Sequence, residues 1–153
     1  MSGGNNLPTN RVRATATTRT GLFEVGLPSG ASQVYLDLTA QQGHIKGGHV
    51  ASHDKSSASG YQLEGFFCGS SNRSKVYFHA ALDREADSTA LVYANRTTEF
   101  EEGLEDQPSG IVYHFKQPKP ATLSINVGVS FVSAANARDN LTSALYLLPL
   151  SGH

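Results

Sequence analysis

Cysteine occurs once, at Cys68, so no internal disulfide can form and no cysteine-based zinc site exists. No apolar run approaches the roughly 18 residues of a membrane-spanning helix, which excludes a membrane span. Charge is scarce: Asp, Glu, Lys and Arg make up 16% of the chain, against about 25% in an average globular domain. The formal net charge of −1 provides no overall field for a polyanion or an anionic membrane surface. The amino terminus, M-S-G-G-N-N-L-P, has neither the basic nor the apolar segment of a signal peptide, which predicts that the chain as written stays in the cytosol. Three glycosylation sequons, at Asn72, Asn95 and Asn140, hint at a secreted ancestor. Eight asparagines in a chain rich in Ser and Thr make some of them expected by chance. Nucleophile-elbow, P-loop and dinucleotide-binding glycine motifs are absent.

What is present is alternation. From Leu123 to Phe131 the apolar residues Leu123, Ile125, Val127, Val129 and Phe131 alternate with Ser124, Asn126, Gly128 and Ser130, the period of a half-buried antiparallel strand. Ser133 then caps a short helix with Ala134, Ala137 and Leu141 on one face. A long strand running directly into a capped helix predicts an exit from the sheet. Residues 1–10 are polar and read as a disordered lead-in. Strands are expected over Arg11–Thr20, Leu22–Leu27 and Gln33–Thr39, the last two separated by the turn Pro28-Ser29-Gly30, and together these three predict a meander. His44–Ser52 is a weaker strand, with Gly47-Gly48 marking a bulge, and Ser52–Gly60 reads as polar loop. Further strands are expected over Tyr61–Cys68, Lys75–Leu82, Thr89–Ala94 and Ile111–Phe115, the last paired with Leu123–Phe131 across Lys116–Pro120. Many short strands with almost no helical period predict one all-β domain, an antiparallel β-sandwich with one short helix near residues 134–141. The sandwich is expected over residues 11–141, with residues 142–153 a divergent tail.

The chemistry-bearing residues do not assemble into a recognisable constellation. His44 and His49 have opposite parity, and His49 and His53 lie roughly 13 Å apart on an extended strand. A metal site from His44, His49, His53 and Asp54 therefore requires a bulge or a folded loop, and solvated polar residues are the simpler reading. Glu24, Asp37, Glu64 and Asp83 are candidate carboxylates for glycoside hydrolysis, which needs two carboxyl groups about 5–10 Å apart, but spacing alone pairs none of them. Asp83-Arg84 at a strand end reads as a turn-holding pair, and His79 is separated from it by four residues. The acidic run Glu99, Glu101, Glu102, Glu105, Asp106 lacks calcium-loop spacing and reads as a solvated loop. Cys68 reads as a small core hydrophobe. Arg11, Arg13 and Arg19 share a strand face but have no interleaved aromatics, which argues against a nucleic-acid partner. Neither a catalytic nor a metal-binding residue is assigned on these grounds.

Three segments nevertheless resemble a known family. Arg13-Ala-Thr-Ala-Thr-Thr-Arg-Thr-Gly21-Leu-Phe is similar to a strand leading into a T-x-R-x-G-L turn. Gly65-Phe-Phe-Cys-Gly69 with Val76-Tyr-Phe-His-Ala-Ala-Leu-Asp-Arg84 resembles a V-Y-F-x-A-x-F-D-R strand. Val127-Gly-Val-Ser-Phe-Val-Ser133 with Ala137-Arg-Asp-Asn-Leu141 resembles V-G-[IV]-S-F-[IV]-S followed by A-R-x-N-L. In this order they resemble the N-terminal domain of family 92 glycoside hydrolases, calcium-dependent exo-acting α-mannosidases. The resemblance implies part of a galactose-mutarotase-like supersandwich that packs on an (α/α)₆ barrel, with calcium and the general acid and base held mainly on that barrel and mannose-containing glycans as the substrate of the full-length enzyme. Nothing in the sequence matches the barrel or the earlier F-S-H-T-H-L-S-G segment, so no catalytic, substrate-binding or calcium-binding residue carries over. The expected function is that of a non-catalytic sandwich portion of such an enzyme. The alternative is a free-standing β-sandwich that binds glycan or protein.

Overall fold

The computed structural model describes residues 11–38, 48–65, 73–93 and 108–145. The 1–10 lead-in, His44, Cys68, the Asn72 and Asn95 sequons, the acidic run and the segment after Leu145 lie outside the described residues. Among the described residues, nine strands and one helix follow one another along the chain. They are β1 (Val12–Ala16), β2 (Thr20–Leu27), β3 (Gly30–Asp37), β4 (Gly48–His53), β5 (Ser57–Gly65), β6 (Arg73–Leu82), β7 (Ser88–Val92), β8 (Gly110–Gln117), β9 (Ala121–Ser130) and α1 (Ala134–Leu145). One sheet has the order β1-β2-β9-β6-β5-β4 and the other β3-β8-β7, and the strand pairs within both sheets are antiparallel. The all-β sandwich with one short helix is therefore observed.

Connectivity differs from the expectation in two places. The first three strands form no meander: β1 pairs with β2, but β3 crosses to the other sheet and pairs with β8. The turn Pro28-Ser29-Gly30 makes the crossing, and Gly30 accepts a φ of 87° at no steric cost. Gln117 donates its side-chain amide to the Pro28 carbonyl and ties the far end of β8 to this corner. Likewise β8 does not pair with β9. Lys116–Pro120 is a second crossing, after which β9 inserts between β2 and β6 at the centre of the six-stranded sheet. Alternation identifies strands but cannot distinguish a hairpin from a change of sheet. The polar stretch after Ser52 is also shorter than a loop reading suggests. β4 runs to His53 and β5 starts at Ser57, joined by a tight turn in which Asp54 accepts from the Ser56 amide at 2.8 Å.

The inner face of β9 explains the core. Leu123 is fully buried and Ile125 nearly so, and they meet Leu27, Phe78, Ala80, Leu82, Ala58 and Val50 from the same sheet with Ile111, Tyr113 and Phe115 from the other. Burying a side chain such as Leu123 stabilises the fold by about 1.5–3 kcal/mol. Tyr113 has no exposed surface, so its hydroxyl needs a partner; it donates across the sandwich to the Ser57 carbonyl at 2.9 Å. Burial first, and the nearby Asp54 second, push the Tyr113 pKa far above its ordinary value.

The helix starts where the sequence places it, since the Asn136 amide donates to Ser133 Oγ at 3.0 Å. It continues to Leu145, past the expected end at 141. It also does not leave the sheet. Instead α1 folds back over the outer face of β9 and β6, where Gly128 leaves room: a Cβ there would lie 2.2 Å from the Ala137 carbonyl oxygen and 2.8 Å from Leu141 Cβ. Ala137 and Leu141 are buried in this seam. Asn140 Nδ2 donates to the Val129 carbonyl at 3.0 Å, and Ser130 Oγ to Asn136 Oδ1 at 2.8 Å.

Candidate functional site

The outer face of the six-stranded sheet gathers the polar side chains, because positions alternating with the core residues all point there. Strand register places His49, Tyr61, Tyr77 and Ser130 in one row across β4, β5, β6 and β9. The next row holds Ser59, His79, Gly128 and Thr20. Helix α1 covers the β9 end of both rows. The Tyr61 ring sits 5.6 Å from that of His49 and 6.0 Å from that of Tyr77, with Lys75 Nζ 4.5 Å from its centroid. Lys75 is held there by a cation–π contact.

Beside this aromatic row, Ser59 Oγ and His79 Nδ1 lie 2.5 Å apart. Burial first, then the Arg138 guanidinium on α1, lower the His79 pKa below its ordinary 6.5, while Asp54 opposes them. His49 is lowered as well, by burial and then by Lys75, and its Nδ1 is buried without a hydrogen-bond partner. A serine–histidine pair becomes a nucleophile when a third group orients the base. Asp54 does not do so, since its Oδ1 is engaged by the Ser56 amide at 2.8 Å and by Ser56 Oγ at 3.3 Å. The Ser59–His79 pair is thus a satisfied polar link between β5 and β6.

The candidates that the sequence offers fall in separate places. Glu24 sits on the same outer face but bonds to Arg13 at 3.0 Å. Asp83 Oδ1 accepts the Ser124 amide at 3.0 Å, and its own amide donates to the Ser124 carbonyl, so it holds the end of β6 against β9. Arg84 turns away from it to Gln117 Oε1 at 3.5 Å. Asp37 ends β3 in the other sheet, opposite Gly110, and, after burial, raises the Tyr35 pKa. Glu64 is on β5, at the register of Ser74. Arg13 lies in β1 and Arg11 just before it, whereas Arg19 lies in the turn before β2. Gly47 of the expected Gly47-Gly48 bulge lies outside the described residues, while among the described residues of β4 a bulge comes at Val50/Ser52. It reverses the parity of β4: His49 opposes Tyr61 while His53 opposes Ala58, three residues along β5 and therefore on the other face. Among the described residues no group of three His, Cys, Asp or Glu side chains could hold a metal ion.

A shallow cleft on the outer face of the three-stranded sheet is lined in part by Gln33, Asp87, Ser88, His114 and Lys116. Asp87 Oδ2 there accepts the Lys116 amide at 2.6 Å. It therefore serves the backbone. Neither this cleft nor the serine–histidine link was visible in the sequence, because both depend on which strands become neighbours.

The glycosyl hydrolase family 92 N-terminal domain matches residues 6–130. The chain belongs to that family. No curated protein matches it in sequence. Among solved structures, this family 92 domain is similar to a family GH92 α-mannosidase from Bacteroides thetaiotaomicron, with a TM-score of 0.69 and 19% identity over 90% of the chain. A structure of the same enzyme in complex with mannoimidazole gives 0.68 and 18% over 86%. The chain spans only 19% and 18% of those proteins' lengths. At that identity the likeness establishes the fold.

Proposed function

We propose that this family 92 domain is the non-catalytic sandwich portion of a glycoside hydrolase acting on α-mannosides, and that the chemistry resides in a larger helical barrel domain. The family match over residues 6–130 carries this reading. The side chains support it: Glu24, Asp54, Asp83 and Asp87 are each engaged by another group in this domain. An inverting site instead needs two carboxyl groups held roughly 6.5–9.5 Å apart with room for water. Calcium, in this reading, is bound by the barrel domain.

The test is release of the aryl group from an aryl α-mannoside by the purified 153-residue chain, with calcium and with chelator. The expected outcome is no turnover in either, with turnover appearing when the barrel domain is supplied in cis. Calcium-dependent hydrolysis by the chain alone, abolished by Asp83→Asn or Glu24→Gln, would defeat the proposal. A second reading, a glycan-binding module, draws on the aromatic row His49–Tyr61–Tyr77. Calorimetric titration with a mannose oligosaccharide separates the two readings, because binding lost in Tyr77→Ala would favour the module.

A further inference from the structure

Asn140-Leu141-Thr142 is one of the three acceptor sequences for N-linked glycan, and it lies within α1. A usable acceptor is a surface site, because the attached oligosaccharide is bulky and solvated. Here the sequon is folded into the seam between α1 and β9. Leu141 is buried there and Asn140 half-buried.

The polar groups that the modification needs are already committed. Asn140 Nδ2 carries two hydrogens. One is donated to the Val129 carbonyl at 3.0 Å and the other to Asn136 Oδ1 at 3.4 Å. Asn136 Oδ1 is fixed in turn by Ser130 Oγ at 2.8 Å. Thr142 Oγ1, the hydroxyl of the sequon, donates back to the Arg138 carbonyl at 3.1 Å. Transfer from a lipid-linked pyrophosphate oligosaccharide joins Nδ2 to C1 of the first sugar. The C1–O bond breaks, the pyrophosphate leaves with its electron pair, and Nδ2 gives up one proton to a base of the transferase. The glycosylated amide keeps a single hydrogen, and a pyranose ring stands where the other one pointed. The seam has no slack for that ring: even a Cβ at Gly128 would lie 2.2 Å from the Ala137 carbonyl oxygen.

We propose that N-glycosylation of Asn140 and seating of α1 on β9 exclude each other. Asn140 is an acceptor only in the unfolded chain or while the helix is lifted, and a glycan placed there first keeps α1 off the sheet. Without its place on β9, a helix of 12 residues is marginal in water. Glycan attachment therefore unfolds α1 and uncovers the β9 and β6 surface beneath it. The exclusion rests on groups inside the seam, so it holds whatever further chain packs around the domain, and it is independent of the hydrolase reading.

The test uses the full chain with Asn72→Gln and Asn95→Gln, which leaves Asn140 as the single acceptor. Purified oligosaccharyltransferase and a lipid-linked oligosaccharide are supplied under native conditions, and occupancy is read by mass spectrometry. A synthetic peptide of residues 134–145 is the unfolded reference. The folded chain is expected to react about tenfold or more slowly than the peptide, because opening of α1 must precede transfer. Gly128→Ala, which lifts the helix, should react several-fold faster than its parent while the β8 amides stay protected from exchange. Where that variant unfolds altogether, secretion from a eukaryotic cell, in which transfer precedes folding, decides. The lectin-retained chain should then exchange its α1 amides like an unfolded segment, and the unoccupied chain of the same preparation should protect them. A folded chain modified as fast as the peptide would overturn the proposal, and so would an occupied chain with a protected α1. A Gly128→Ala chain that folds and reacts no faster than its parent would overturn it too. A peptide that accepts no glycan, or a secreted chain left wholly unoccupied, would do the same, by showing that local sequence and not the seam closes the site.

Discussion

At Gly128 the outer face of β9 has no side chain, and the backbone of α1 occupies the space. A methyl group there would approach the Ala137 carbonyl and Leu141 Cβ at 2.2 and 2.8 Å, distances that force the helix outward. Gly128→Ala should therefore destabilise the domain by about 1–3 kcal/mol, the usual cost of overpacking a close seam. The urea midpoint measures this, and an unchanged midpoint would show that the helix is not seated as described. The two lowered histidines make a second prediction at this scale. His49 and His79 bind protons less readily in the folded chain than at their ordinary 6.5. The unfolded chain consequently takes up more protons just below that value, and stability rises with pH there. The contribution is fully present above pH 6.5 and is lost as the pH falls through the lowered folded-state values. Thermal midpoints should decline on acidification, less steeply in His79→Gln, whose neutral amide takes up no proton. An equal decline in the variant would assign the effect to other groups.

Helix α1 is the element whose stability is most easily separated from the rest. It has no acidic residue in its first turn and no basic residue in its last, so the helix dipole is uncompensated. It is held by the Ser133 cap, the buried Ala137 and Leu141, and the Asn140 bond to Val129. Asn140 is thus a structural pin as well as a sequon. Ser133→Ala should cost about 0.5–2 kcal/mol and accelerate amide exchange in the first helical turn, while Ser133→Asp should preserve both. If the alanine variant protects those amides equally, packing and not the cap sets the start of the helix.

At the scale of the molecule, the two sheets of the described residues are unequal: six strands face three. Leu123 and Ile125 are buried between them, but Val127 and Val129, further along the same face, are only partly buried, and Phe23 is 40% exposed. An apolar area left on one end of a sheet reduces the hydrophobic driving force per residue and presents a sticky surface. The isolated chain is expected to unfold at the low end of the usual range, about 5 kcal/mol or less, and to bind a hydrophobic dye in its native state. Linking further sandwich strands or the barrel domain in cis should raise the midpoint and suppress the dye signal. Native-state dye fluorescence indistinguishable from that of a fully covered domain would count against this.

Alternation along Leu123–Phe131, Lys75–Leu82 and Leu22–Leu27 was enough to determine an all-β chain, the inward residues Leu123, Ile125, Val127 and Val129 of its central strand and the Ser133 cap, because these follow from the two-residue period and local capping chemistry. Phe131 instead lies beyond the end of β9 and is exposed. The family resemblance was legible too, in three segments that span most of the sandwich. Tertiary structure decided what local pattern cannot encode. It sent β3 and β9 to different sheets from those expected, since a turn of given composition can either close a hairpin or change layers. It moved His53 off the face of His49 through a bulge one extra residue long. It turned α1 back onto Gly128, because an exit and a return begin with the same cap and differ only in what surface is there to receive the helix.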